Sequence, residues 1–152
     1  MKEVVLKSKK GIPIIGICNG FQILLECGLL PGSLINNKNI KFLSQNVTLQ
    51  VYNDSTIFTN KLKIGDMLSM PIAHKEGNYV ADDDTIKKLE DNNRIIFKYL
   101  ENPNGSQNDI AGIINENGNV LGMMPHPERA CDKILGSDDG KFIFKSIIER
   151  VK

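Results

Sequence analysis

Residues 12–20 read IPIIGICNG, and this stretch sets the expected fold. The run from Ile12 to Ile17 is apolar without alternation, which predicts a short strand buried on both faces of a parallel sheet. An amphipathic pattern then begins at Asn19 and stops at Gly28, which predicts a helix. Between the strand and the helix stands Cys18, at the centre of a G-x-C-x-G pattern.

The setting of Cys18 is typical of a nucleophile elbow, the cysteine counterpart of G-x-S-x-G. A strained turn of this kind favours small residues two before and two after the nucleophile, which are Gly16 and Gly20. The N-terminus of the following helix would favour the thiolate. The alternative is a buried structural cysteine. The strand-to-helix context favours catalysis for Cys18, whereas Cys27 and Cys131 lack that context and are expected to be core or incidental residues.

Outward from this turn the sequence predicts a single α/β domain over residues 1–152. A helix that runs directly into a buried parallel strand is normally the second half of a strand–helix–strand crossover. The pattern therefore predicts that an N-terminal part of the domain is lacking. Helices are expected over 1–10, 82–91 and 140–151, strands over 47–51, 68–73 and 94–100, and a hairpin formed by 110–114 and 119–124.

Composition narrows the class of protein. The formal net charge is +1, from 19 basic and 18 acidic side chains, which argues against a nucleic-acid-binding surface. The sequence contains no apolar run of membrane-spanning length and no signal peptide, so a cytoplasmic protein without a membrane partner is expected. Three cysteines without a CxxC spacing argue against a disulfide framework and against a zinc site.

Two histidines are candidates for the base of a cysteine hydrolase. His74 and His126 are each followed two residues later by a glutamate, Glu76 and Glu128 respectively. In extended chain, residues two apart share a face, so either glutamate could orient its histidine. Spacing alone does not choose between them. The prolines on both sides of His126 weakly favour it, because they hold the chain extended.

Four segments together resemble class I glutamine amidotransferases, and more narrowly the glutaminase subunits of phosphoribosylformylglycinamidine synthase, an enzyme of purine biosynthesis. The similarity runs from about residue 11 to the C-terminus. The elbow and the His-Pro-Glu motif are typical of the class, and the remaining motifs are specific to the subunit. The segments are GICNGFQILLECGLLPG (16–32), PIAHKEGNYVAD (71–82), ENPNGSQNDIAGI (101–113) and GNVLGMMPHPERA (118–130).

The resemblance implies a flavodoxin-like three-layer α/β sandwich with a mostly parallel sheet. It implies Cys18 as nucleophile, His126 as general base and acid, and Glu128 as the residue that orients His126. Asn19 would offer a backbone N–H to the oxyanion, and Gln22 matches the position that contacts the substrate glutamine.

The implied reaction is hydrolysis of L-glutamine to glutamate and ammonia. The ammonia would pass to a large formylglycinamide ribonucleotide synthetase subunit, and a small accessory subunit is expected as well. The resemblance implies that ATP and Mg²⁺ are bound by that synthetase. This sequence has no Walker motif and no Cys/His cluster of its own. His74 lies in a segment that approaches substrate and partner in this class, and it receives no role.

The N-terminus departs from the pattern of the family. Family members begin with further strand–helix units and a Gly-rich loop that supplies a second oxyanion donor. At about 30 residues per unit, roughly 60–80 residues would be lacking. Two alternatives therefore stay open: a non-catalytic remnant or docking domain, and a different hydrolase with a cysteine elbow.

Overall fold

The structure is a computed structural model that describes the backbone of residues 1–151 and the side chains of residues 1–149. The predicted helices and strands are confirmed, with ends that differ by a few residues. Two short strands, β2 and β5, were not expected, because SLIN and EGNYV carry few strand-forming residues. The elements are α1 Lys2–Lys9, β1 Ile14–Ile17, α2 Asn19–Glu26, β2 Ser33–Asn36, β3 Leu43–Val51, β4 Met67–His74, β5 Glu76–Val80, α3 Asp83–Asp91, β6 Ile95–Tyr99, β7 Ile110–Ile114, β8 Val120–Met123 and α4 Lys141–Val151.

A six-stranded sheet in the order β1-β8-β7-β6-β3-β4 forms the centre of the domain. Strands β1 and β8 pair in parallel, and the other four pairs are antiparallel. Four of the six strands (β1, β8, β6 and β4) consequently run in one direction, although only β1 and β8 are parallel neighbours. The mixed pairing arises because short connections, such as the turn between β7 and β8, allow only antiparallel neighbours.

Two apolar clusters fill the two faces of this sheet. One packs α4 against the sheet through Ile143, and the other packs α2 and α3 through Phe21 and Leu89, all three of which are fully buried. Helices on both faces give the expected three-layer α/β sandwich. None of the helices among the described residues has the length and apolarity needed to cross a bilayer.

Strand β1 differs from its sequence prediction in burial. Ile14, Ile15 and Ile17 are only half-buried, whereas the apolar run predicted a strand covered on both faces. The reason is its place in the sheet, since β1 is an edge strand whose one partner among the described residues is β8.

The direction of the strands places the functional residues. Cys18 follows β1, His126 follows β8, and His74 ends β4, so all three lie at the carboxyl ends of strands that run the same way. The sheet curls enough for the backbone N–H of His126 to donate to the carbonyl of Pro71 in β4, at 2.9 Å. Ligand sites in open α/β sheets form at this edge.

Candidate active site

Cys18 occupies the sharp turn between β1 and α2. Its backbone has φ 53° and ψ −109°. This conformation is energetically unfavourable for any residue other than glycine, and such residues cluster at functional sites. Gly16 is required here, because a Cβ on it would overlap the backbone of Gly20 and the side chain of Leu24. The expectation that Gly20 must also be small is wrong for the described chain, since a Cβ there meets nothing within 4 Å.

The thiol of Cys18 is buried and has few polar neighbours. Its Sγ lies 3.7 Å from the carbonyl oxygen of Ala73 and 4.0 Å from Oδ1 of Asn19. Burial raises the pKa of Cys18, and the backbone N–H of Asn19 and the charge of Arg129 offset this only in part. The first amide of the helix does favour the thiolate, as expected, but desolvation outweighs it, and the thiol needs a base.

His126 is held by a carboxylate. Its Nδ1 lies 2.6 Å from Oε1 of Glu128, so the ring donates from Nδ1 and keeps a bare Nε2 when it is neutral. That Nε2 is buried and has no hydrogen-bond partner among the described residues. Residues Pro127–Arg129 form a short 3-10 turn rather than the extended chain expected from the prolines. The contact is thus made across a turn, with Gly140 packed against the backbone of Pro127.

His74 has a different partner, although the spacing to its glutamate is the same. Its Nδ1 lies 3.0 Å from Oδ1 of Asn37, a neutral amide, and Glu76 is exposed. Burial, and secondarily the positive charge of a protonated His126, lower the pKa of His74 to about 4. A histidine that stays neutral beside an amide is a poor proton acceptor. Geometry therefore separates the two His-x-Glu segments that spacing could not.

One pocket of about 430 Å³ brings these groups together. Both histidines and the cysteine line it, and so do Asn19 and Gln22, the two residues for which the resemblance implies contact with substrate. Glu128 is not a lining residue and reaches the pocket only through His126. The side chain of Gln22 donates from Nε2 to Oε1 of Glu26, at 3.0 Å. The lining residues are Ile17, Cys18, Asn19, Gln22, Phe42, Ala73, His74, Lys75, Glu76, His126 and Arg129.

Sequence reasoning missed two contributors to this pocket. Asn37 orients His74 from 37 positions away in the chain, and no local pattern marks such a contact. Arg129 contributes a positive charge near Cys18, although it stands directly after the recognised His-Pro-Glu motif. Among the side chains that the structure describes, no three His, Cys, Asp or Glu residues gather in a group that could hold a metal ion.

Comparison with known proteins places the chain in a family. Residues 5–141 match the model of the CobB/CobQ-like glutamine amidotransferase domain. PurLQS from Thermotoga maritima is similar over 99% of this chain and 67% of its own chain, with 44% sequence identity and a TM-score of 0.90.

Two more distant structures show the same fold. A putative GMP synthase component from Thermoplasma acidophilum has 18% identity and a TM-score of 0.58, over 90% of this chain and 56% of its own. A glutamine amidotransferase from Thermotoga maritima has 17% identity and a TM-score of 0.56, over 98% and 60% respectively. The family model and the 44% identity to PurLQS confirm the resemblance drawn from the sequence, and the chain belongs to the CobB/CobQ-like glutamine amidotransferase domain family.

Proposed function

We propose that the chain hydrolyses glutamine at Cys18 and supplies the ammonia to a formylglycinamide ribonucleotide synthetase partner. One observation carries the proposal. A single pocket contains a cysteine on a strained strand-to-helix turn and a histidine whose Nδ1 is bonded to a carboxylate. A nucleophile, its base and the group that orients the base are the requirements for thiol catalysis.

The first half of the reaction forms a thioester. His126 Nε2 takes the thiol proton, which is needed because burial raises the pKa of Cys18. The sulfur then attacks the side-chain carboxamide carbon of glutamine, and the backbone N–H of Asn19 stabilises the oxyanion. The C–N bond breaks as His126 returns the proton to the departing nitrogen. Glu128 stabilises the imidazolium during this step.

The second half releases glutamate. His126, neutral again, accepts a proton from water, and the resulting hydroxide attacks the thioester carbon. The C–S bond breaks, and the proton returns to the sulfur. In this scheme Gln22, one helical turn after Cys18, contacts the bound glutamine. Its Nε2 would give up the hydrogen bond to Glu26 and donate to the substrate instead.

The partner in this proposal is the large synthetase of phosphoribosylformylglycinamidine synthesis, together with a small accessory subunit. The 44% identity to PurLQS supports it. ATP and Mg²⁺ would be bound by the synthetase, and this chain would contribute only ammonia.

Replacement of Cys18 tests the proposal. In the complex with the synthetase, Cys18→Ala should abolish glutamine-dependent synthesis and leave synthesis from ammonium salts intact, because only the source of nitrogen is lost. Cys27→Ala is a matched control, since Cys27 lies at the end of α2 and its sulfur bonds the carbonyl of Leu24. Near-normal use of glutamine by Cys18→Ala would exclude Cys18 as the nucleophile. Peptide cleavage without ammonia release would favour a different hydrolase, and an inactive wild-type complex would favour a docking domain.

A further inference from the structure

The hydrogen bonds of Asn37 fix the tautomer of His74. The Nδ2 of Asn37 donates to the carbonyls of Lys41 and His74, at 2.8 and 3.0 Å, and its Oδ1 accepts from the backbone N–H of Gly77, at 3.1 Å. A flipped amide would place oxygen against two carbonyls and nitrogen against an N–H, so this orientation is the one that satisfies all three contacts. Oδ1 also faces Nδ1 of His74, and Nδ1 must therefore carry the proton.

Burial lowers the pKa of His74 to about 4, so the ring is neutral near pH 7. With its one proton on Nδ1, the ring has a bare acceptor at Nε2. This Nε2 is buried and has no hydrogen-bond partner among the described residues, and His74 as a whole is only 4% exposed. His74 lines the same pocket as Cys18 and His126. A buried acceptor without a partner is costly, and in a substrate pocket it indicates a ligand that supplies a donor.

The position of the ring is fixed as tightly as its tautomer. A Cβ on Gly77 would overlap the imidazole of His74, so the ring lies directly against the backbone of Gly77. The side chains of Asn104 and Ser106 fix the backbone at Gly77, because both donate to its carbonyl, at 2.7 and 3.2 Å. Asn104 and Ser106 are themselves buried. The fold thus holds one uncharged acceptor in place beside the nucleophile.

We propose that Nε2 of His74 accepts a hydrogen bond from the carboxamide N–H of glutamine, and that this bond distinguishes substrate from product. The inference rests on the proposed glutaminase function. The carboxamide NH₂ is a donor, whereas the carboxylate that replaces it in glutamate offers only lone pairs. A neutral acceptor at this point stabilises glutamine and repels glutamate, which favours release of the product. A site built around an N–H rejects the analogue that lacks it, because the buried group is left without a partner.

The position of His74 favours this donor over the α-ammonium group of the substrate. His74 lies close enough to His126 for a protonated His126 to lower its pKa, and the backbone carbonyl next to it, that of Ala73, lies 3.7 Å from Sγ of Cys18. His74 therefore belongs to the reacting end of the pocket, where the carboxamide must lie. An α-ammonium group would be better matched by a carboxylate than by a neutral imidazole.

His74→Leu removes the acceptor and leaves Asn37 bonded to Gly77, Lys41 and the carbonyl at position 74. In the complex with the synthetase, kcat/KM for glutamine should fall about 10- to 100-fold, which is the value of one buried hydrogen bond. Competitive inhibition by glutamate should be unchanged or stronger. Gly77→Ala displaces the ring without removing it. It should therefore change kcat/KM and inhibition by glutamate in the same directions as His74→Leu does.

A chloroketone analogue of glutamine separates this role from a purely structural one. The analogue keeps the amino-acid head and the carbonyl but has no carboxamide N–H, and it alkylates the thiol as the C–Cl bond breaks. Alkylation of Cys18 should slow less than about threefold in His74→Leu, since the reagent never used the lost bond. An equal loss of hydrolysis and alkylation would mean that His74 only supports the fold, and no loss of hydrolysis would mean that it plays no part. A wild-type complex that neither hydrolyses glutamine nor reacts with the chloroketone would overturn the proposed function, and this inference with it.

Discussion

Residues 74–76 and 126–128 share the spacing His-x-Glu, and both histidines line one pocket. They differ in the group that faces Nδ1. His126 has a carboxylate at 2.6 Å, and His74 has a neutral amide at 3.0 Å. A carboxylate stabilises an imidazolium, so His126 can gain and return a proton, whereas His74 stays neutral. The comparison teaches that the role of a histidine is set by the partner of its other nitrogen, not by its neighbours in sequence.

The largest expected effect comes from removing the histidine that has the carboxylate. His126→Asn should lower the kcat of glutamine hydrolysis by about 10³, because the buried thiol loses its proton acceptor. It should slow alkylation of Cys18 by the chloroketone as well. His74→Leu should spare alkylation, so steady-state and alkylation rates on both variants separate the two roles. The same pattern of losses in both variants would contradict the assignment of His126 as the base.

A smaller effect is expected from the two carboxylates. Glu128→Gln should lower kcat by about 10², less than the roughly 10⁴ of the corresponding change in a serine-protease triad, because a thiol needs less help from its base. Glu76→Gln should cost less than about threefold, since Glu76 is exposed and does not bond His74. Glutamate release by the two variants is the measurement. If Glu76→Gln proved the more damaging change, the wrong His-Glu pair would have been chosen.

The third comparison is between two glycines, Gly140 beside the turn that supports His126 and Gly20 at the start of α2. A Cβ on Gly140 would overlap the backbone of Pro127, which cannot yield as a side chain would. Gly140→Ala should therefore lower the free energy of unfolding by about 2 kcal/mol and reduce turnover as the 3-10 turn shifts. Gly20→Ala is the matched control for stability, because its Cβ meets nothing and the site is helical; it should be neutral or stabilising by up to about 1 kcal/mol. Equal destabilisation in denaturant titrations would contradict the packing argument.

The last expected effect concerns the pH dependence of stability. The pKa of His74 is about 4 in the folded protein, below its usual value of 6.5, so between these values the unfolded chain binds more protons. Stability should consequently fall as the pH is lowered from 6.5 towards 4, by at most about 1.4 kcal/mol per pH unit from this residue. His74→Leu should lose less stability than the wild type between pH 7 and pH 5. Identical pH dependence of the two unfolding free energies would show that His74 titrates normally.

Much of the site was predictable because its chemistry is local in sequence. The turn at Cys18 follows from glycines and a switch from strand to helix, and the His126–Glu128 contact spans two residues. The hydrogen bond between His74 and Asn37 was not predictable, since Asn37 reaches His74 only after β2 and β5 have paired. The raised pKa of Cys18 was missed for a related reason: desolvation depends on everything packed around the thiol, whereas a helix N-terminus is visible in the sequence.

The parallel pairing of β1 with β8 has a consequence for the order of events during synthesis. Ile14 pairs with Val120, so the two halves of the site are separated by more than one hundred residues of chain. At about 5–20 residues per second, a ribosome adds Cys18 to the chain roughly 5–20 s before it adds His126. Closure of so long a loop also makes this pairing one of the slower steps of folding. Cys18 is therefore synthesised well before His126, and the two residues come together only when β8 pairs with β1.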